Sequence, residues 1–506
     1  LKYQNIDDPH KKEKFYQYMQ TELGFHLNGI TVIDPAKDLC DEAYKLALLH
    51  GIPEDMIIYL DPTNPNTKSL NVLRGPREQV AETLTMVLEG MAEEQDDFFR
   101  QAQRTVLKNY VYLLKTYKGD ECTLEDLVAM YHDPRMVMDM VEAVEKTIPK
   151  DIDEIPDRVE RGEWRIVRIF IDWFRAEGLG YEFNRSGELQ YYPPGHKHAG
   201  KPVVKDLQAE FTRGTRNILS DIVTNPKLRR VLCDGDDVDL DLLLSAGGIL
   251  LVNTAKGDLS ELSKAFGKLV LMTVQNAIFR RPGKERTRPM HSLIVDELPE
   301  YINLPFRELT SQGRKYKVAV IGAVQSLAQF AMDYNEAFVN TMLNTMRHHI
   351  VFGGISPYDA KLFVEAAGKE KRFNVSTRDA ETPSRIEGAS RTEAVQVSEV
   401  LENFIETSDL VYQMEGKVYA RLTLRNVPRR PQVVQTHYVD YEASEAWKEQ
   451  LDPKAVQIWT NYVQEQKQAR TQKTDMAQFD VQRGRWEPVD DSIALEDSLV
   501  ISDFDE

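Results

Sequence analysis

Five short apolar runs, each closed by a polar residue or glycine, constrain this chain more than any other feature. They are ITVI before Asp34, ILLV before Asn253 and Thr254, LIV before Asp296 and Glu297, VAVIGAV before Gln325, and IVF before Gly353 and Gly354. Short apolar runs that alternate with helical segments read as strands of a parallel sheet, buried on both faces. Parallel strands present their carboxyl ends on one rim, and ligands bind in the crevice outside it. The residues closing the five runs are therefore expected to meet along one edge.

A second apolar pattern interrupts the first. From about Arg77 to Arg230 the period is helical, through AETLTMVLEGM, FFRQAQRTVLKNYVYLLKTY, MVMDMVEAVEK and WRIVRIFIDWF, with a capping box at Thr123–Asp126. This reads as an all-helical insertion. The expected units are 1–75 and 236–443 for the two parts of the sheet domain, 76–235 for the insertion, and 444–506 for a polar helix and tail. A late hairpin is expected in DLVYQMEGKVYARLTL, turning at Glu415–Lys417.

With 506 residues the chain exceeds one ordinary core, and 42% hydrophobic content suffices to fill several. The three cysteines, Cys40, Cys122 and Cys233, have no C-x-x-C spacing and read as buried thiols of a reducing compartment. A net charge of -18 argues against a surface coated for nucleic acid. Eight of the acids lie after Arg485, in EPVDDSIALEDSLVISDFDE, so the body is less acidic than the total. The apolar residues of that tail suit either docking on a basic partner or a solubilising terminus.

Chemistry concentrates at His291–Glu297. An apolar strand that delivers two consecutive carboxylates is the Walker-B arrangement: Asp296 for a hydrated Mg²⁺, Glu297 to polarise the attacking water. Acids at a strand end also cap helices, so the pair gains meaning from the polar residues expected beside it. Gln325, at the next strand end, suits sensing a γ-phosphate or orienting water. Arg314, between them, fits either a helix-end cation or an arginine finger acting in trans, which is worth about 10³ to 10⁵ in rate.

These blocks resemble the type IV secretion coupling proteins, the TraG/TraD-like branch of the FtsK/HerA-type P-loop motors. The resemblance rests on VIDPAKDL, IIYLDPTNPNTKSLNVL, FFRQAQRTVLKNYVYLLK, ILSDIVTNPKLRRVL, GGILLVNTAKGDLSELSKAFGKLVLMTVQNAIFRRPG, HSLIVDELPEY and SQGRKYKVAVIGAVQSLAQF, in that order. It implies an α/β fold, a mostly parallel RecA-like P-loop NTPase sheet interrupted by an all-α domain. It also implies ATP and Mg²⁺ as cofactors, a homo-hexamer on the cytoplasmic face of a bacterial membrane, and the transfer of single-stranded DNA. The partners implied are a relaxase complex and secretion-channel proteins. Carried onto this sequence, it makes Asp296 and Glu297 the Walker-B pair, Gln325 the strand-end glutamine, Arg314 the finger, and Asp34 the Asp of a nucleotide-side Asp-Pro. Here the chain departs from the family, reading Asp34-Pro35-Ala36-Lys37-Asp38 in place of D-P-K-G-D/E, so Lys37 is expected at a helix start without a ligand role.

The string GHKHAGKP, Gly195–Pro202, imitates a phosphate loop, but it follows no strand and carries Pro202 where Ser or Thr would reach Mg²⁺. It is expected to be a plain loop, with His196 and His198 exposed rather than metal-bound. The resemblance places the true Walker A before the VIDP strand, and Leu1–Asn28 does not contain it. Truncation upstream, with any membrane anchor also lost, is the expectation, and the 506-residue chain should then hydrolyse little ATP until that segment is restored. The basic series Arg158, Arg161, Arg165, Arg168 and the cluster Lys227, Arg229, Arg230, with Arg213 and Arg216, fit phosphate contact or solvated helix faces. A HerA/FtsK-like motor outside conjugation and a non-hydrolysing adaptor of the same fold are the alternative readings.

Overall fold

The computed structural model describes residues 28–89, 91, 97–235, 237–285, 288–382, 390–425, 427–437 and 451–477. The acidic tail and residues 1–27 lie outside these. In chain order the strands that matter are β1 (Gly29–Asp34), β2 (Ile57–Leu60), β3 (Leu179–Tyr181), β4 (Val204–Asp206), β5 (Ile249–Asn253), β6 (His291–Val295) and β7 (Val318–Gly322). After them come β8 (His349–Phe352), β9 (Lys369–Thr382), β10 (Ser390–Asn403) and β11 (Lys417–Arg421).

Five of these strands form one parallel sheet in the order β2-β5-β1-β6-β7. Its apolar runs lack alternation because both faces are covered. Ile33, Leu250, Val252, Leu293 and Val295 belong to a large core that continues without a break into the helical block. Val32 and Leu251 point the other way, into a smaller core closed by helices Asp38–Leu49 and Pro453–Ala477. The strand ends are flush: Asp34 is opposite Asn253, and the Asp296 amide donates to the Ile33 carbonyl at 2.9 Å.

Four of the five expected strand ends share this rim, and the fifth does not. β8 leaves the parallel sheet and pairs antiparallel with β11, which pairs in turn with the strand Gln432–Gln435. Along β8 the residues alternate, His349 and Val351 buried and Ile350 and Phe352 exposed, the pattern of a sheet covered on one face. Three apolar residues were too few to reveal that period. Gly353 and Gly354 therefore close a strand outside this sheet and its rim. Its fifth member is β2, whose run IIYL ends on Asp61.

The late hairpin also differs from expectation. Residues Thr407–Val411 form a helix because Glu406 and Asp409 cap each other's backbone amides. Gly416, at φ 75°, then turns the chain into β11, so helix precedes strand where two strands were expected. β9 and β10 instead pair along their whole length as a two-stranded arm.

The block between β2 and β5 holds helices Arg77–Glu89, Asp97–Lys118, Leu124–His132, Pro134–Glu145, Arg158–Trp173 and Ala209–Thr224. It is not wholly helical, because β3 and β4 form a short ribbon within it. The GHKHAGKP loop projects from that ribbon and folds back onto Asp133. His198 Nε2 lies 2.8 and 2.9 Å from the two oxygens of Asp133, and Lys197 Nζ lies 2.7 Å from one of them. Asp133 also caps the helix Pro134–Glu145, so the loop is pinned to a helix start. Among the described residues no group of His, Cys, Asp and Glu could hold a metal ion by itself, and no helix is long and apolar enough to cross a membrane.

Candidate functional site

An open cleft of about 610 Å³ lies at this rim, lined mainly by residues just past the strand ends, among them Lys37, Thr63, Asn253, Lys256 and Glu297. Three non-glycine residues in left-handed conformation, each just past a strand of this rim, shape it: Lys37 (φ 77°), Ala255 (φ 53°) and Glu297 (φ 47°). Such conformations are costly for residues with a Cβ and persist only where the surroundings over-determine them, which is why they cluster at functional sites.

Asp296 and Glu297 stand next to each other but in unlike surroundings. Asp296 is half-buried, and one carboxylate oxygen accepts the Glu297 amide at 3.0 Å. Burial pushes its carboxyl up, against the pull of that amide, and the neighbouring charges of Asp34 and Glu297 add to the rise. Glu297 is gripped at both oxygens, by Gln325 Nε2 at 2.9 Å on Oε1 and by Lys256 Nζ at 2.8 Å on Oε2. The same ammonium reaches Glu300 Oε1 at 2.7 Å, and these two carboxylates raise its pKa above the ordinary lysine value.

Toward β2 the rim is stitched by Asp61. Its Oδ1 accepts the Thr63 amide, the Thr63 hydroxyl and Asn253 Nδ2, at 2.9, 2.7 and 2.9 Å, while Oδ2 meets Lys37 Nζ at 3.0 Å. Burial pulls the Asp61 carboxyl up, but hydrogen bonds from Thr63, Lys37 and Asn253 outweigh it and hold the group below its ordinary value. Asn253 Oδ1 accepts the Ala255 amide at 2.8 Å, which fixes the left-handed turn leading to Lys256.

The structure thus brings Asp296, Glu297 and Gln325 together. Asp34 is at the same rim, fully buried, with one oxygen on the Ala36 amide and the other on the Cys40 amide, at 2.9 and 3.2 Å. Its carboxylate is committed to starting the helix Asp38–Leu49. Arg314 is not at this rim. It precedes β7, at the opposite end of the sheet, exposed and 3.5 Å from Glu285. A five-residue strand separates it from Gln325's end, on the order of 16 Å at the usual strand rise.

Sequence reading passed over Asp61 and Lys256 and gave Lys37 no part in the rim. Asp61 did carry a signal, since it closes an apolar run as Asp34 does. Lys256 carried none, because its partner acids lie 41 and 44 residues further along the chain. Four residues of the basic clusters have partners within the chain: Arg161 the Ile155 carbonyl, Arg165 Asp153, Lys227 Asp258 and Arg229 Glu125.

Residues 291–410 match the TraG-D_C family model, described as the TraM recognition site of TraD and TraG. Over this span, less than half of its length, the chain is similar to TraD and TraG. The TraG/TraD region begins at the first residue of β6 and includes Asp296, Glu297, Arg314 and Gln325, whereas Asp34, Asp61 and Lys256 precede it. Among solved structures the chain is similar to the bacterial conjugative coupling protein TrwBdeltaN70 in its unbound monoclinic form. The TM-score is 0.47 at 14% identity, over 84% of this chain and 91% of that one. TrwB in complex with ADP and Mg²⁺ matches with a TM-score of 0.47 at 14% identity, over 84% and 92%. VirB4 of Thermoanaerobacter pseudethanolicus matches with a TM-score of 0.42 at 12% identity, over 85% of each chain. No curated protein matches the chain by sequence.

Proposed function

We propose that this chain belongs to the motor of a conjugative coupling protein, whose full gene product hydrolyses ATP to move DNA into a type IV secretion channel. The observation that supports this most is the meeting of Asp296, Glu297 and Gln325 on one sheet edge inside the TraG/TraD region. Asp296 suits Mg²⁺: it is a half-buried carboxylate with the charges of Asp34 and Glu297 beside it. Mg²⁺ is commonly held by one or two carboxylates, with phosphates and waters completing the shell. When bound it would neutralise charge on the phosphate oxygens.

In this reading Glu297 takes a proton from the attacking water while the water oxygen bonds to the γ-phosphorus and the bond to the bridging oxygen breaks. Gln325, hydrogen-bonded to Glu297, orients that water. Asp34 shapes the turn and contacts no phosphate. At the edge of the sheet β7 pairs, among the described residues, only with β6 and leaves Ile321 exposed. Arg314, at the far end of β7, could reach only a neighbouring copy's site, which agrees with a ring, for which a hexamer is proposed. The TraM recognition region favours relaxosome proteins as partners, with single-stranded DNA as cargo and the membrane as the site of assembly.

The test is E297Q in the full gene product. It should bind ATP as the parent does and lose about 10²- to 10⁴-fold in turnover, the usual worth of a positioned acid–base group. Parental turnover in E297Q would sink this reading.

A further inference from the structure

We propose that Lys256 is a positioning residue that clamps Glu297 in a non-reacting pose, and that withdrawal of its ammonium readies the site. The inference rests on the assignment of Glu297 as the proton acceptor. Its geometric basis is independent of that assignment.

β5, which carries Lys256, is not a neighbour of β6, which carries Glu297; β1 lies between them. Two strand spacings amount to about 10 Å, more than a lysine side chain spans from a straight strand end. The chain closes the gap with its backbone. Ala255 turns left-handed, and the Lys256 amide then donates to the Pro35 carbonyl at 3.1 Å, which anchors Lys256 above the end of β1. From there Nζ reaches Glu297 Oε2 and Glu300 Oε1. Glu297 is itself left-handed, so both ends of the bridge depend on backbone conformations that random drift of two surface side chains would not require.

The clamp has a chemical consequence. A water that attacks a phosphate must offer its proton to Oε1 or Oε2 of Glu297, and in this pose Gln325 and Lys256 already donate to them. Lys256 is the removable partner. Its side chain is 43% exposed and borders the cleft, so the ammonium can leave without opening any core. A phosphate drawn into the cleft would compete with the two carboxylates for it.

The experiment uses the full gene product without nucleic acid. K256M should raise kcat for ATP several-fold with KM unchanged, and K256R, which keeps the charge, should restore the low rate. A residue that served only the fold would lower kcat when removed. In parallel, K256M, E297Q and the double variant are melted without nucleotide, where a clamp requires shifts that do not add. A kcat that falls or stays level in folded K256M, or additive melting shifts, overturns the clamp; K256Q replaces K256M if the latter does not fold. Parental turnover in E297Q would instead overturn the assignment of Glu297, and the melting cycle would still decide whether the clamp exists.

Discussion

The two ends of the parallel sheet satisfy their polar groups in opposite ways. At the carboxyl-end rim, ion pairs and side-chain hydrogen bonds reach between loops: Lys37 to Asp61, Lys256 to Glu297, Gln325 to Glu297. At the amino end two polar side chains, Arg281 and His291, are instead buried, and the first is tied to the backbone. Arg281, almost wholly buried, donates to the carbonyls of Tyr316, Leu244 and Pro289 at 2.6, 2.7 and 2.6 Å. His291 is fully buried against the Thr31 hydroxyl at 2.9 Å. Partners on the main chain cannot be exchanged without moving the fold, whereas side-chain partners can be traded for a ligand. Sites of chemistry belong at the second kind of edge.

The sharpest break in this contrast should come from acid. Burial, and secondarily the charge of Arg281, pulls the His291 pKa down from 6.5 to about 3. A folded pKa below the unfolded one means the unfolded chain binds the proton first. The neutral form's stability is then complete above pH 6.5 and is lost progressively as pH falls toward 3. Urea melts between about pH 7 and 5 should show this slope, and H291N should flatten it by on the order of one proton's worth. An equal slope in both proteins would remove His291 from the account.

Next in size is R281M, which leaves three carbonyls without their donor. Chemical denaturation should register a loss of about 3 kcal/mol, given about 1–3 kcal/mol for each unsatisfied buried polar group and partial relaxation among them. G29A comes after it: a Cβ on Gly29 would sit 2.3 Å from His291 Nδ1, and overpacking of that kind costs about 1–3 kcal/mol. At the rim, the same denaturation series applied to K256M should show less than about 1 kcal/mol, because a partly exposed ion pair is worth little to the fold. A rim variant as damaging as R281M would erase the distinction between the two edges.

Much of the site was legible in the chain alone. The pairing of Asp296 with Glu297 and the arrival of Gln325 at the same edge came from strand ends in a parallel sheet, since an apolar run fixes where its strand stops. The run IVF misled because a short strand covered on one face and one covered on both can carry the same three letters. Asp34 was placed correctly at the rim, yet its carboxylate is occupied by the helix it begins, a matter of two backbone amides that no spacing reveals.

What the sequence determined by itself is the sheet's rim and the acids on it, because burial on both faces leaves a chain few places to put polar residues except where strands end. What only the tertiary structure decided is who holds whom there. Strand order set β1 between β5 and β6, and one left-handed turn at Ala255 carried Lys256 across it to Glu297. Such a contact joins residues far apart in the chain through backbone geometry, and local pattern carries no record of it.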